Sequence, residues 1–152
     1  MALDPKKWTQ KTQEAVAAAL EDARANANPE LTPDHLLAAL LRQEGSIVLP
    51  VVQKLGKAPL MLRNKADETV ARLPKSYGSE TRWARETTQL IDVADAARKE
   101  LRDDFLSVEH LLLAMPDRLG VSREELLQAL AAVRGSHRVT SQNPEEQFQA
   151  LE

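Results

Sequence analysis

The sequence contains no cysteine, which excludes a disulfide framework and a thiolate metal site and fits a reducing cytosol. Aromatic residues are also scarce, at 3% of the chain, although 43% of the residues are hydrophobic. The core must therefore be built mainly from Leu, Val, Ile and Ala, and this composition favours closely packed helices over a β-sheet. We expect the 152 residues to form one helical domain, or two small halves that share a core.

Strong charge and long apolar runs are missing as well. The net charge of −3 argues against a nucleic-acid-binding protein, which normally carries a basic patch. No stretch approaches the roughly 20 apolar residues that a membrane span requires, and the opening MALDPKKWTQ lacks the apolar segment of a secretory signal. We therefore expect a cytoplasmic protein with neither a membrane nor a nucleic acid as partner.

The motifs that carry common chemistry are absent from the sequence. It contains no G-x-x-x-x-G-K-[ST] phosphate-binding loop, no H-E-x-x-H zinc motif and no G-x-S-x-G nucleophile elbow. We predict that this chain has no catalytic residues, no metal site and no cofactor, and that it is not an enzyme.

The chain does contain one segment twice, as LTPDHLLAALL from Leu31 and LSVEHLLLAM from Leu106. His35 and His110 lie 75 positions apart in these segments, and each follows an acidic residue and precedes Leu-Leu. The pair fits either a metal or acid–base site or one structural position made twice. A metal normally needs three or four ligands, so the structural interpretation is favoured.

The segments around the histidines repeat too, which predicts a duplicated helical unit. Thr32 with Pro33, and Ser107 in the second copy, are typical of helix starts, and Ser122 with Glu125 has the spacing of a capping box. Apolar stripes with steps of 3, 4, 7 and 11 precede both histidine segments. Their members are Val16, Ala19, Leu20, Ala23 and Ala27 in the first copy, and Leu90, Val93, Ala94, Ala97 and Leu101 in the second. These stripes are offset by 74, which predicts one extra loop residue in the second copy.

We therefore predict an all-α, pseudo-twofold duplicated helical repeat with about seven or eight helices. The first copy has an additional segment, EGSIVLPVVQK, which predicts a short helix interrupted by Pro50. The polar residues after Gly135 predict a linker or tail outside the core. The predicted domain covers residues 1–135. It consists of repeat 1 over about 9–73, an exposed flexible connector over 74–83 and repeat 2 over about 84–135, and a linker or tail over 136–152 follows it.

The doubled segments LTPDHLLAALLRQEG and LSVEHLLLAM resemble the Clp N-terminal domain family. The stretches LDPKKWTQKTQEAV, ARLPK and RVTSQNPEEQFQALE are similar to the ClpB disaggregase branch of that family. The resemblance implies a monomeric domain that binds exposed apolar segments of unfolded or aggregated proteins and helps to deliver them to the pore of a homohexamer. It places ATP and Mg²⁺ in ATPase modules outside this chain, and it implies cooperation of the whole protein with the DnaK chaperone system. The alternative within the family is a domain that docks adaptors of a Clp protease chaperone, as in ClpC or ClpA.

The same resemblance implies a substrate-binding role for Thr9, Asp103 and Glu109, with Asp104 of second rank. We expect these residues to border a shallow apolar channel, in which Ile91 is the best candidate for exposure. We also expect Glu109→Lys to weaken client binding at a cost to the fold of only about 0.3–1 kcal/mol, from the lost interaction with the helix dipole. The channel would be lined by Leu90, Ile91, Ala94 and Ala97.

Overall fold

The computed structural model describes residues 4–144, which form seven α-helices, two short strands and two 3₁₀ turns. The fold is all-α, as the composition and the helical stripes predict. The 3₁₀ turns are Pro5–Lys7 and Pro116–Leu119, and the strands are β1 (Glu30–Leu31) and β2 (Arg82–Trp83). The helices are α1 (Gln10–Ala25), α2 (Pro33–Arg42), α3 (Val48–Lys54), α4 (Pro59–Ala71), α5 (Arg85–Glu100), α6 (Val108–Leu113) and α7 (Arg123–Arg134).

Capping residues start several helices where the sequence predicts. The Thr32 hydroxyl accepts from the backbone N–H of His35, and Pro33 is the first residue of α2. At α7, Ser122 and Glu125 each accept a hydrogen bond from the other's backbone N–H, both at 3.1 Å. Pro50 does not interrupt α3, contrary to the prediction, because it lies in the first turn, where a backbone N–H has no acceptor within the helix.

The two copies are related by a constant offset of 75 residues. Helices α1 and α5 are both 16 residues long, and Gln10 and Arg85 begin them 75 positions apart. The predicted offset of 74 for the stripes, with its extra loop residue, is therefore wrong. The error came from placing Val93 on the core side of α5, whereas its side chain is 53% exposed. The face that α5 buries consists of Thr87, Leu90, Ile91, Ala94 and Ala97.

Hydrogen bonds and strand pairing cross reciprocally between the copies. The Thr12 hydroxyl donates to the carbonyl of Leu106 at 3.0 Å, and the Thr87 hydroxyl donates to the carbonyl of Leu31 at 2.6 Å. Each acceptor also pairs with a tryptophan of the other copy, since Trp8 forms a parallel bridge with Leu106 and Trp83 pairs with Leu31 in the β1–β2 ladder. Each of these contacts therefore occurs twice, once from the first copy to the second and once from the second to the first, as a twofold relation requires.

The apolar helices α2 and α6 lie inside the other elements. Helix α6 buries all of its residues, and α2 buries every residue from His35 to Leu41. Helix α2 packs against α1 and α4, whereas α6 packs mainly against α5. None of the helices between residues 4 and 144 combines the length and the apolar character of a membrane span.

The connector and the start of the predicted tail are both tied to the domain. In the connector, the backbone N–H of Ser76 donates to the carbonyl of Ala27 at 2.8 Å, and β2 pairs with β1. In the tail, Val139 is fully buried, and the N–H of Gln10 donates to the carbonyl of Gln142 at 2.7 Å. The domain therefore extends past residue 135, because residues 136–142 find hydrogen-bond partners on it. The remainder of the predicted tail, residues 145–152, lies outside the described residues.

Candidate functional site

The two histidines occupy equivalent, fully buried positions at the starts of α2 and α6. His35 Nδ1 accepts from the backbone N–H of Thr32 at 3.0 Å, and His110 Nδ1 accepts from that of Ser107 at 2.8 Å. Because Nδ1 is an acceptor, Nε2 carries the proton in both rings. The Nε2–H of His35 donates to the Asn28 side-chain oxygen at 2.9 Å. The histidines are thus helix-capping groups, which supports the structural interpretation of the repeated segments.

This arrangement leaves neither imidazole free to bind a metal. Both ring nitrogens of His35 and of His110 have partners in the chain, and Asp34, the acidic neighbour of His35, lies 3.3 Å from Arg118 Nε. Within residues 4–144, no group of three or more potential ligand side chains is placed to hold a metal ion. Burial lowers the pKa of His35 despite the opposing charges of Asp22 and Asp34, as expected of a ring held neutral.

Asp103 is the counterpart of Asn28, and it forms the centre of a buried charge cluster. Its carboxylate accepts from His110 Nε2 at 2.6 Å, from the Arg134 guanidinium and from the backbone N–H of Val139 at 2.8 Å. Arg134 Nη1 also lies 3.4 Å from Glu109 Oε2. Burial alone would raise the pKa of Asp103, but the hydrogen bonds from His110 and Arg134 outweigh it and hold this pKa below its ordinary value. We call Asp103, Glu109, His110 and Arg134 the Asp103 cluster.

An open cleft lies next to this cluster, because Asp104, the chain neighbour of Asp103, lines it. Its volume is about 500 Å³, and it is bounded by the segment that precedes α1, by the outer face of α5 and by the loop before α6. The apolar residues of its lining are Trp8, Ala96 and Leu106, of which only Ala96 is exposed, and charged side chains surround them. The residues that line the cleft are Lys7, Trp8, Asp92, Asp95, Ala96, Arg98, Lys99, Asp104 and Leu106.

The charged rim of the cleft contains both paired and unpaired groups. Asp95 accepts from Arg98 Nε at 2.7 Å and lies 3.7 Å from Lys99 Nζ. Partial burial opposes ionisation of Asp95, but the hydrogen bond from Arg98 and the nearby positive charges keep its pKa below the ordinary value. Within the described part of the chain, the carboxylates of Asp92 and Asp104 form no ion pair, so they remain available to a bound molecule.

A model of the Clp repeat (R) N-terminal domain matches residues 7–130 of this chain. The chain belongs to this family. The ClpB chaperone of Corynebacterium diphtheriae is 37% identical over 157 aligned positions, which cover 95% of this chain and 18% of the relative. The ClpB chaperone of Mycobacterium leprae is 38% identical over 156 positions with the same coverage. The predicted resemblance to the Clp N-terminal domain family and to its ClpB branch is thus confirmed. The chain spans about 18% of these relatives' length.

Solved structures show the same fold. The N-terminal domain of Hsp104 from Candida albicans superposes with a TM-score of 0.79 at 21% identity, covering 91% of this chain and 99% of that one. The N-domain of ClpV from Vibrio cholerae has a TM-score of 0.73 at 21% identity, covering 84% and 85%. A complex of the ClpV N-domain with a VipB peptide has a TM-score of 0.69 at 20% identity, covering 84% and 87%.

The Clp repeat domain does not expose the predicted apolar channel. Ile91 and Ala94 are fully buried, Leu90 is 6% exposed and Ala97 is 3% exposed. The prediction of an open channel at these four residues, with Ile91 exposed, is therefore wrong. The reason is that α5 turns this face towards the core, so that Val93 and Ala96 are its outward apolar residues.

The three polar residues of first rank that the family resemblance implies are buried and do not line the cleft. Asp103 and Glu109 are each 2% exposed, and Thr9 is fully buried. The Thr9 hydroxyl accepts from the Thr12 backbone at the start of α1, and the Thr9 N–H donates to the carbonyl of Leu106 at 2.9 Å. Asp104, given second rank from the sequence, is the acidic residue of this loop that borders the cleft.

Most residues of the cleft have no recognisable signal in the sequence. Asp92, Asp95 and Lys99 look like the ordinary solvated face of an amphipathic helix, and Lys7 looks like part of a polar N-terminus. The Lys7–Trp8 segment lies more than 80 positions before the other two cleft segments in the sequence, and its pairing with Leu106 brings it next to them.

Proposed function

We propose that this Clp repeat domain recruits exposed apolar segments of unfolded or aggregated proteins for an ATP-dependent disaggregase of the ClpB type, and that the cleft is the docking site. The chain would act as a binding module, and ATP hydrolysis would reside in other parts of the whole protein. We further propose that the whole protein is cytoplasmic, forms a homohexamer and cooperates with the DnaK chaperone system.

The observation that carries this proposal is the composition of the cleft. Its volume falls in the range of ligand-binding pockets, and exposed apolar surface from Ala96 lies beside unpaired carboxylates, with the buried side chains of Trp8 and Leu106 also in the lining. Such a surface can hold an apolar side chain while Asp92 or Asp104 accepts hydrogen bonds from a peptide backbone or pairs with a basic side chain. A domain of the same fold, the ClpV N-domain, has been solved in complex with a peptide, which supports peptide binding by this architecture.

A weak affinity follows from the limited apolar surface of the cleft. A patch of at most a few hundred Å² contributes little beyond what is lost in ordering an extended peptide. We therefore expect dissociation constants of about 1 μM or weaker. Weak contacts of this kind suit a domain that must accept many sequences and then release them.

The proposal is tested by filling the cleft. Ala96 is exposed in the middle of α5, so Ala96→Arg should place a long side chain in the cleft without disturbing the helix. We expect the affinity for a permanently unfolded polypeptide, followed by tryptophan fluorescence, to fall by about tenfold or more. The reason is that the arginine side chain replaces the exposed apolar residue of the lining and covers its neighbours. Trp8 lines the cleft and is one of two tryptophans, so it reports on occupancy.

Ala17→Arg is the matched control, because Ala17 is exposed on α1 and does not line the cleft. This variant should bind like the wild type. Equal affinities for all three proteins would refute the cleft as the docking site. A wild-type chain that ignores unfolded polypeptides but binds a Clp protease adaptor would favour the alternative function.

A further inference from the structure

The segment that follows α7 folds back onto two backbone segments that contribute to the lining of the cleft. We call residues 136–142 the strap. The Val139 carbonyl accepts from the backbone N–H of Asp104 at 2.7 Å, and the Gln142 carbonyl accepts from that of Gln10 at 2.7 Å. The Gln142 side-chain amide donates to the carbonyls of Lys6 at 3.1 Å and Trp8 at 3.4 Å. The strap thus bonds to both backbone segments, around Trp8 and around Asp104, that form walls of the cleft.

Asp103 holds the near end of this strap. Its carboxylate accepts from the Val139 N–H while it also accepts from Arg134, the last residue of α7. Arg134 Nε in turn donates to the carbonyl of His137 at 2.6 Å. One buried side chain therefore connects the end of α7, the strap and, through His110, the start of α6.

The first repeat makes an equivalent set of hydrogen bonds, but the residue at its centre is uncharged. Asn28, the counterpart of Asp103, accepts from His35 and donates through its side-chain nitrogen to the carbonyl of Pro74 at 3.1 Å. Pro74 lies in the segment that leaves repeat 1, as Val139 lies in the segment that leaves repeat 2. Both copies thus use this position to hold their exit segment, and only the second copy uses a charge.

We propose that Asp103 is a positioning residue that clamps the strap, and that the docked strap braces the walls of the cleft. Asp103 acts on client binding without touching the client, because it is buried and does not line the cleft. Release of the strap would free the Lys7–Trp8 and Asp104–Leu106 segments from their brace and weaken the cleft. The evidence for the clamp is the set of hydrogen bonds described above. Its effect on client binding rests on the proposed function.

Two backbone amides report directly on the strap. The N–H groups of Gln10 and Asp104 belong to the body of the domain, but their acceptors are strap carbonyls. The Gln10 N–H lies at the first position of α1, where the helix offers no acceptor, so loss of the strap exposes it to solvent exchange. Hydrogen exchange measured by NMR on the full chain therefore reads strap docking without any client.

The clamp is tested with Asp103→Asn and Gln142→Ala, with Asn143→Ala as the control. Asp103→Asn keeps a side chain that can bond His110 but removes the charge that faces Arg134, whereas Gln142 is exposed, so its truncation should leave the core intact. We expect exchange at Asp104 in the first variant and at Gln10 in the second to become about tenfold faster, relative to the core amide of Leu112. Affinity for the unfolded polypeptide should fall severalfold in both variants, and Asn143→Ala should match the wild type.

The possible results separate the two parts of the proposal. Unchanged exchange at Gln10 and Asp104 in both variants would overturn the clamp. Faster exchange with unchanged affinity would overturn the brace. A wild-type chain that binds no unfolded polypeptide would refute the proposed function, and with it the brace, while the exchange rates would still decide the clamp.

Discussion

Each buried histidine of this domain uses both ring nitrogens, one to cap a helix and one to hold the preceding loop. For His35, a proton on Nδ1 would face the Thr32 N–H that this nitrogen now accepts from. The neutral ring is therefore the form that fits the folded domain, and its pKa is lowered by burial. The carboxylates of Asp103 and Glu109 are also buried, and both have partners that are buried with them. Asp103 pairs with His110 and Arg134, and Glu109 pairs with Arg134.

The lowered pKa of His35 predicts a loss of stability in mild acid. Below about pH 6.5 the unfolded chain binds a proton at this imidazole, whereas the folded chain does not until a lower pH. The contribution of His35 to stability is thus fully present above about pH 6.5 and is lost as the pH falls, by at most about 1.4 kcal/mol per pH unit. Urea unfolding at pH 7.5 and 5.5 measures this loss.

His35→Gln is the comparison for this prediction, because a glutamine at this position of a capping box can still accept from the Thr32 N–H. The variant should lose less stability than the wild type between the two pH values. An identical pH dependence in both proteins would show that His35 does not titrate as the geometry requires.

The burial of Glu109 changes the expected effect of charge reversal. From the sequence, Glu109→Lys should cost the fold little, but the structure places this side chain 3.4 Å from Arg134 and 2% exposed. A lysine there would bury a second positive charge, so we now expect a loss of about 3–5 kcal/mol in the free energy of unfolding. Chemical denaturation of the variant measures it.

Glu124→Lys is the matched control, since Glu124 also lies in the first turn of a helix but is exposed. It should cost less than about 1 kcal/mol. A Glu109→Lys variant as stable as this control would contradict the structural role of Glu109.

At the scale of elements, the ends of α1 and α5 show how closely the copies match. Both helices end in a turn with a residue of positive φ, Ala27 at 55° and Arg102 at 59°. These turns allow the N–H of Asn28 to reach the carbonyl of Ala23, and the N–H of Asp103 to reach that of Arg98. In residues 4–144 they are the only non-glycine residues with positive φ, and they lie 75 positions apart.

Replacing Arg102 tests this element. Its side chain is exposed and its backbone is left-handed, a conformation that glycine adopts without the strain of a Cβ atom. We expect Arg102→Gly to stabilise the domain by up to about 1 kcal/mol and to raise Tm by a few degrees. Arg102→Ala keeps the Cβ atom and should give no such gain, so equal Tm values for the two variants would contradict the strained turn.

The helices were predictable because their signals are local. Thr32 with Pro33 and Ser122 with Glu125 mark helix starts within four residues of sequence, and the repeated histidine segments indicate the duplication. The offset of the stripes was not predictable from apolar residues alone, because Val93 continues the apolar spacing and yet faces solvent. The strap was not predictable, because the hydrogen bonds that join it to Asp103 and Lys6 link residues more than 30 positions apart.

At the scale of the whole molecule, the functional residues expected from the sequence are buried, whereas other residues line the cleft. Thr9, Asp103 and Glu109 form a buried layer that shapes the loops, and Lys7, Asp92 and Asp104 lie on the surface in front of it. A sequence shows that an acidic residue is present, but its burial depends on partners such as Arg134, which lies 31 positions after Asp103. The cleft was therefore not predictable from the sequence, because it forms where the N-terminal segment meets the region of α5 and α6.

The most direct test of the cleft as a client site is to map the backbone amides that respond to a client. The ¹⁵N-labelled chain would be titrated with a permanently unfolded polypeptide while each amide resonance is followed. We predict that the largest shifts fall on Lys7, Trp8, Ala96, Asp104 and Leu106, around the cleft. Shifts centred instead on another exposed apolar site, such as Leu60 and Met61 at the start of α4, would contradict the proposal.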